Sequence, residues 1–267
     1  MHKRWLFPSV ILLIAVFMVV PANAASPLTV APRIPLRAGS TASLNWAGYA
    51  DSVHSGSVTM ANASFIVPTV QASKKSTYVA VWVGIDGYND STVEQTGILA
   101  ESSHGSVSYS AWYEFYPSSP VYAPSKDKVE PGDYIVAWVQ YKQSTNTFTT
   151  VIKDINAGWN FTSPLTAVSG ADRSSAEWIV ERPAVGGSLT TLANFGTAEF
   201  GQSYTGISGT CTATINGKTS SISAFNYVSI TMVTSTGKLL ATPSTLSGEG
   251  TSFSVTYVSS AVSPHHK

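Results

Sequence analysis

From Asn45 to Val258 the chain alternates apolar and polar residues with a period of two, interrupted at short intervals by turn residues. A period of two belongs to an extended strand whose two faces meet different surroundings. Tyr78–Asp86 sets Val79, Val81, Val83 and Ile85 on one face, with Trp82 and Asp86 on the other. Ser106–Tyr116 sets Val107, Tyr109, Ala111, Tyr113 and Phe115 against Ser108, Ser110, Trp112 and Glu114. The same pattern predicts strands over 134–141, 148–152, 176–181, 227–233 and 253–258. Pro131-Gly132, Gly186-Gly187, Asn216-Gly217 and Ser247-Gly248 punctuate them. No amphipathic helical stretch of useful length appears. The expectation is an all-β, antiparallel two-sheet β-sandwich, lectin-like, forming a single domain over residues 44–258.

The ends of the chain break this pattern. Lys3 and Arg4 precede an apolar run from Leu6 to Val20, followed by Pro21-Ala22-Asn23-Ala24. A basic start, a short apolar run and small residues at a cleavage site are the marks of a secretory signal peptide, here residues 1–24. The run is too short for a membrane span, which needs about 20 apolar residues. The protein is therefore expected to be secreted, with no membrane association after signal cleavage. Residues 25–43, rich in Pro, Ser and Arg, form a linker or short pro-segment. As a basic pro-segment it could screen a carboxylate site; as a flexible leader it would do nothing. Residues 259–267 read as a polar tail, with His265 and His266 dangling rather than binding metal.

Charge narrows the partners. Lys plus Arg number 15 and Asp plus Glu number 15, and only 11% of residues are charged. The balance lacks the basic footprint of a nucleic-acid binder, so no nucleic-acid partner is expected. One cysteine, Cys211, allows no intrachain disulfide. Cys211 has no adjacent histidine, so a nucleophilic role is not expected.

The same scarcity prunes the chemistry. A Ser-His-Asp triad needs a histidine in the body, where only His54 and His104 stand, both in Gly/Ser-rich turns without a G-x-S-x-G elbow. No H-E-x-x-H and no paired cysteines are present, so no metal and no other cofactor is expected. Carboxylates remain. Most lie beside turn residues, but Glu114, Glu177 and Glu181 are embedded in aromatic-rich strands. Burial there raises a carboxyl pKa, which suits acid–base work. Glu177 and Glu181 are four apart and share one strand face. Trp82, Trp112 and Trp178 could line a binding groove or could be core. On the residues alone, a sugar-hydrolysing sandwich and a non-catalytic carbohydrate-binding domain rank ahead of other readings, because aromatic stripes and paired carboxylates suit sugars.

Five blocks change that order. Asn45-Trp46-Ala47-Gly48-Tyr49 is followed by VAVWVGIDG at 79–87, Glu94-Gln95-Thr96-Gly97, YSAWYEFYP at 109–117 and AEWIVE at 176–181. In this order and spacing they resemble the glutamic peptidase family, the eqolisins. The single cysteine departs from the cysteine-richer fungal members, and the chain looks like a secreted bacterial member. The resemblance implies a β-sandwich acid endopeptidase, insensitive to pepstatin, that hydrolyses polypeptides with a Gln/Glu pair activating water. It places the pair at Gln95 and Glu181, with Glu177 in reserve for the glutamate. Trp82, Asp86, Glu114, Trp112 and Glu177 become the surround of the substrate cleft. A monomer is expected. Few charges also fit work in acid, where lysines and arginines stay charged while carboxylates lose theirs.

Overall fold

The computed structural model describes residues 28–260, and the signal sequence inferred at 1–24 lies outside them, as do 261–267 of the tail. Within this span the alternating segments pair into two large antiparallel sheets. One runs, edge to edge, Tyr227–Ile230, Trp46–Ser52, Ser175–Glu181, Thr77–Ile85, Val93–Ser103, Ser106–Tyr116 and Val121–Tyr122. The other is ten-stranded and is built around Val58–Ile66, Tyr134–Lys142 and Thr147–Asp154. A third, small sheet joins Leu28–Thr29 to the hairpin Ala184–Val185 and Ser188–Leu189. Helix is confined to Gln202–Thr205 and a short 3-10 turn at Ile222–Ala224 among the described residues.

The main core lies between the two large sheets. The faces read from the sequence supply it: Val79, Val81, Val83 and Ile85 from one sheet meet Ala61, Ala63, Phe65, Ile135, Ala137 and Val139 from the other. All ten are fully excluded from water, so removing any large one costs a few kcal/mol, about 2–5 for Ile to Ala. Phe200 stacks on Phe253 with centroids 4.7 Å apart in the same layer. Trp178 belongs here too. It was a candidate for a binding groove, but it alternates with Glu177 and Ile179 and so points inward, where its Nε1 donates to the Asn62 carbonyl at 2.7 Å.

The predicted strand 227–233 is two strands. Tyr227–Ile230 pairs with Trp46–Ser52 in the seven-stranded sheet, whereas Met232–Val233 pairs with Leu239–Pro243 in the ten-stranded one. The chain crosses between the sheets at Thr231, a change of partner that unbroken alternation does not reveal. Asn216-Gly217 turns the hairpin Thr212–Ile215 to Lys218–Ser221, with φ of 51° and 76°. Two consecutive positive φ values are what a tight two-residue hairpin turn demands, and Asn-Gly tolerates them best.

Candidate active site

The seven-stranded sheet turns its second face away from the main core, and the register sorts that face into rows. Trp46, Glu181, Ala80 and Leu99 stand in one row. Gly48, Ile179, Trp82, Gly97 and Trp112 form the next, and Ala50, Glu177, Gly84, Gln95 and Glu114 the third. Two glycines matter to the middle of this face. A Cβ at Gly97 would fall 2.6 Å from the Trp82 Cβ, and one at Gly84 would fall 2.7 Å from the Trp82 ring. With hydrogens at both, the indole lies down between them and aims its Nε1 at Glu181 Oε2, 3.1 Å away. Trp46 packs edge-on against the same indole, centroids 5.0 Å apart.

This face does not stand open. The stretch Val30–Pro32 crosses it, and every backbone polar group there is taken by a side chain of the sheet or of the loop leading into it. The Val30 N–H donates to Glu114 Oε2 at 3.2 Å. The Val30 carbonyl accepts from Gln95 Nε2 at 2.5 Å. The Ala31 N–H donates to Glu181 Oε1 at 3.0 Å. The Ala31 carbonyl accepts from Trp46 Nε1 at 3.0 Å and Asn45 Nδ2 at 3.3 Å, and Asn45 Nδ2 also reaches the Pro32 carbonyl at 3.0 Å. The two side chains of greatest interest thus close on one peptide unit. Gln95 holds the oxygen and Glu181 the nitrogen of Val30–Ala31.

The amide orientation of Gln95 follows from its partners. Nε2 faces two acceptors, the Val30 carbonyl and Glu114 Oε2, the latter at 3.0 Å, so the NH2 end must point at both. Its Oε1 is left free to accept. Glu114 carries the complementary load: Oε2 accepts from Gln95 and from Val30. Burial pushes the Glu114 carboxyl up to about 8, against the smaller opposing pull of those two donors. Burial likewise holds Glu181 well above the ordinary carboxyl range, although Ala31, Asn45 and Trp82 all donate to it and favour its ionised form.

A fold and a site of this kind can be compared with known proteins. The model of the Peptidase A4 family matches residues 44–257. The chain belongs to that family. Aspergillopepsin-2 of Aspergillus niger is 32% identical over 180 residues, 59% of this chain and 62% of that protein, so the chain spans less than two thirds of this curated relative. The structure of aspergilloglutamic peptidase from Aspergillus niger superposes with a TM-score of 0.58 at 29% identity, over 68% of this chain and 99% of that one. A scytalido-glutamic peptidase structure with a transition state analog inhibitor gives 0.65 at 22% identity, over 80% and 98%, and shows a shared fold. The Peptidase A4 match begins at residue 44, so the crossing stretch at 30–32 precedes it.

Not every residue assigned to the surround of the cleft meets the Val30–Ala31 unit. Trp82 and Glu114 do so through Glu181 and Gln95, and Trp112 packs beside them in a small apolar cluster with Trp46, Tyr88, Val93, Leu99 and Val30. Asp86 and Glu177 stand apart. Asp86, at φ 71°, accepts the backbone N–H groups of Arg173 and Ser174 at 2.7 and 2.8 Å, which is a structural task at the end of its strand. Glu177 is wholly buried near Asp86, Asp90 and Glu94; burial raises all four carboxyls, and neighbouring carboxyls of this group add to the rise at Asp86, Glu94 and Glu177. Neither oxygen of Glu177 or of Glu94 accepts a hydrogen bond; Ser175 and Thr92 lie near but out of bonding geometry. Glu177 and Glu181 do share a face, but four residues of strand separate them by about 13 Å.

Asn45 and Trp46 open the first of the five sequence blocks, and the resemblance attaches no role to them. They turn out to be donors to the peptide in the cleft, and Asn45 Nδ2 also reaches Glu181 Oε1 at 3.3 Å. A polar amide next to a tryptophan at the start of a strand was the available signal; what it would touch was not.

Proposed function

We propose that the protein is a secreted acid endopeptidase in which Gln95 and Glu181 hydrolyse the peptide bonds of polypeptide substrates. The observation that carries this reading is the Val30–Ala31 unit, with its carbonyl oxygen on the Gln95 amide and its nitrogen on the Glu181 carboxyl. Family membership supports it, and so does the disposition of donors. Recognition of the main chain by Glu114, Gln95, Glu181, Trp46 and Asn45 requires no particular side-chain sequence, as an enzyme for polypeptides needs. No helix among the described residues is long and apolar enough to cross a membrane. The signal sequence at 1–24 supports secretion, and the low cysteine content fits a bacterial member.

The chemistry divides between the two side chains. In its ionised form, which the Ala31, Asn45 and Trp82 donors favour and burial opposes, Glu181 takes a proton from water as the water oxygen attacks the carbonyl carbon. The Gln95 N–H faces the oxygen on which charge develops, the position where a preorganised donor accelerates acyl transfer most. Glu181 then returns the proton to the leaving nitrogen, which its carboxyl already faces. Burial makes the carboxyl a stronger base than it is in water, and the Trp82 and Asn45 donors hold it in place. Glu114 fixes the Gln95 amide, leaving Gln95 Oε1 to orient the attacking water. These roles use no metal or cofactor.

The test is digestion of denatured casein across the acid range, with pepstatin in one arm and a metal chelator in another. Cleavage that survives both and vanishes in Glu181→Gln is expected. No cleavage at any pH overturns the reading.

A further inference from the structure

We propose that the edge of the seven-stranded sheet at Ser106–Ser110 is a second binding site for polypeptide substrates, which takes an extended stretch of an unfolded chain as an added strand. The inference rests on the peptidase reading, and the site lies outside the catalytic cleft.

Four observations carry it. The first is an unfinished row of hydrogen bonds. Ser106–Tyr116 is paired along its whole inner side with Val93–Ser103. Its outer side is met only in part. Val121–Tyr122 pairs with Trp112 and Tyr113, and the Ala123 N–H donates to the Ala111 carbonyl at 2.9 Å. Pro124 follows, and the Asp127 N–H closes a turn onto the Pro124 carbonyl at 2.8 Å, so the covering strand leaves the edge there. Alternate residues of a strand turn their backbone groups to the same side. The Ala111 carbonyl faces outward, and the N–H and carbonyl groups of Tyr109 and Val107 therefore do so as well. Among the described residues no strand lies opposite them.

Second, nothing in the sequence guards this edge. Natural edge strands are kept from pairing with other chains by lysine, proline or a bulge. Ser-Val-Ser-Tyr-Ser has no charge and no proline, and its register with Val93–Ser103 runs unbroken. Third, an added strand sets successive side chains on opposite faces of the sheet, and this edge has a groove on each face. On the cleft side a groove of about 390 Å³ lies among Ser108, Ser110, Leu99 and Tyr122. On the other side a groove of about 330 Å³ lies between Tyr109, Ala111 and the loop Pro124–Glu130. Fourth, Leu28, two residues before Val30 in the cleft, also lines the first groove, which joins the cleft to the edge. That continuity favours the substrate over a second copy of this chain as the occupant.

Strand addition recognises the main chain and asks only that the partner be extended. It suits an enzyme that meets proteins unfolded by acid. A polypeptide held at the edge also presents its other segments to the cleft at a raised local concentration, a gain that a peptide filling the cleft alone does not share.

The experiment compares two substrates cut by the full-length chain in acid: denatured casein, and a short peptide that spans only the cleft. Val107→Pro removes one outward N–H and leaves the pairing with Val93–Ser103 in place, as proline does on an edge. Ser108→Lys keeps the backbone and adds a charge at the exposed rim, which guards against misfolding of the first variant. Each should raise KM for casein about threefold to tenfold relative to KM for the short peptide, the effect of losing a backbone hydrogen bond or so. In Glu181→Gln, which holds casein uncut, the amide protons of Val107 and Tyr109 should exchange more slowly with casein than without it. If the wild type digests casein but the KM ratio stays fixed in both variants, or the two amides exchange equally fast with casein, the inference is overturned and the peptidase reading stands. Slowing that grows with protein concentration in the absence of casein would make the edge a contact between copies and overturns it too. A chain that cuts neither substrate overturns both.

Discussion

Glu114 stands directly across from Gln95 on the neighbouring strand, and its Oε2 lies 3.0 Å from the Gln95 amide nitrogen. The pair settles which end of the Gln95 side chain faces a peptide oxygen. A glutamine alone could present either its oxygen or its NH2; beside a carboxyl acceptor it presents NH2. Glu114 is thus a positioning residue for Gln95.

Glu114→Ala should lower kcat by roughly tenfold to a hundredfold while KM changes little, the range expected when a buried hydrogen-bond partner is lost and the group it held is left unsatisfied. Glu114→Gln keeps an acceptor oxygen and should recover part of the loss. Steady-state kinetics on a peptide substrate checks this, and a change confined to KM would show that Glu114 only binds.

Gln95→Ala should reduce kcat by about 10²–10³-fold, as removal of an oxyanion donor does. Glu181→Gln should leave activity near the detection limit, whereas Glu177→Gln should retain turnover within a small factor of wild type. If Glu177→Gln is the dead variant instead, the glutamate assignment moves four residues.

The buried carboxyls make stability fall as pH rises. Burial lifts Asp51 to about 8 and Asp86 to about 7, and raises Glu94 and Glu177 well above the ordinary range. The folded state therefore holds protons that the unfolded chain has released. Their contribution to stability is complete below the unfolded value, near 3.8 for an aspartate, and is lost as pH climbs through the folded values of about 7 and 8. Each unit of difference is worth about 1.4 kcal/mol. Denaturant unfolding between about pH 4 and pH 8 should show a steady loss. Glu177→Gln, which keeps the shape but cannot ionise, should gain stability at neutral pH and change little in acid. A profile with its maximum at neutral pH would contradict this.

Gly97→Ala tests how the indole of Trp82 is seated. The added Cβ would fall 2.1 Å from the Val81 carbonyl oxygen and 2.6 Å from the Trp82 Cβ, and the first of these is backbone and cannot swing away. A cost of about 1–3 kcal/mol is expected from such overpacking. Because Trp82 donates to Glu181, kcat should fall together with stability. Thermal unfolding and peptide turnover on the same variant check both.

Much of the fold was legible because a strand writes its two faces into alternate residues. Val79, Val81, Val83 and Ile85 were readable as one face, and the structure buries all four between the sheets. The strand at 227–233 was read as continuous because both halves alternate, and only partner choice divides it at Thr231. Trp178 shows the same limit at a single residue. An aromatic suits a groove and a core equally well, and the decision depends on which face of Ser175–Glu181 meets the second sheet.

The site divides in the same way. The residue types and their order, Q-T-G then A-E-W-I-V-E, are properties of the sequence, and so is the scarcity of charge, which fits work in acid. The register is not. Gln95 and Glu114 are 19 residues apart, Glu181 lies 67 residues further on, and Asn45 precedes all of them, so their meeting depends on strand pairing across the sheet. Nor could the sequence choose between a flexible leader and a screen for residues 25–43. The stretch at 30–32 has no alternation to read, because its order comes from hydrogen bonds to side chains of distant strands. Local pattern fixed the strands and the kinds of groups they carry. Long-range pairing decided which groups share a row and which peptide bond lies across them.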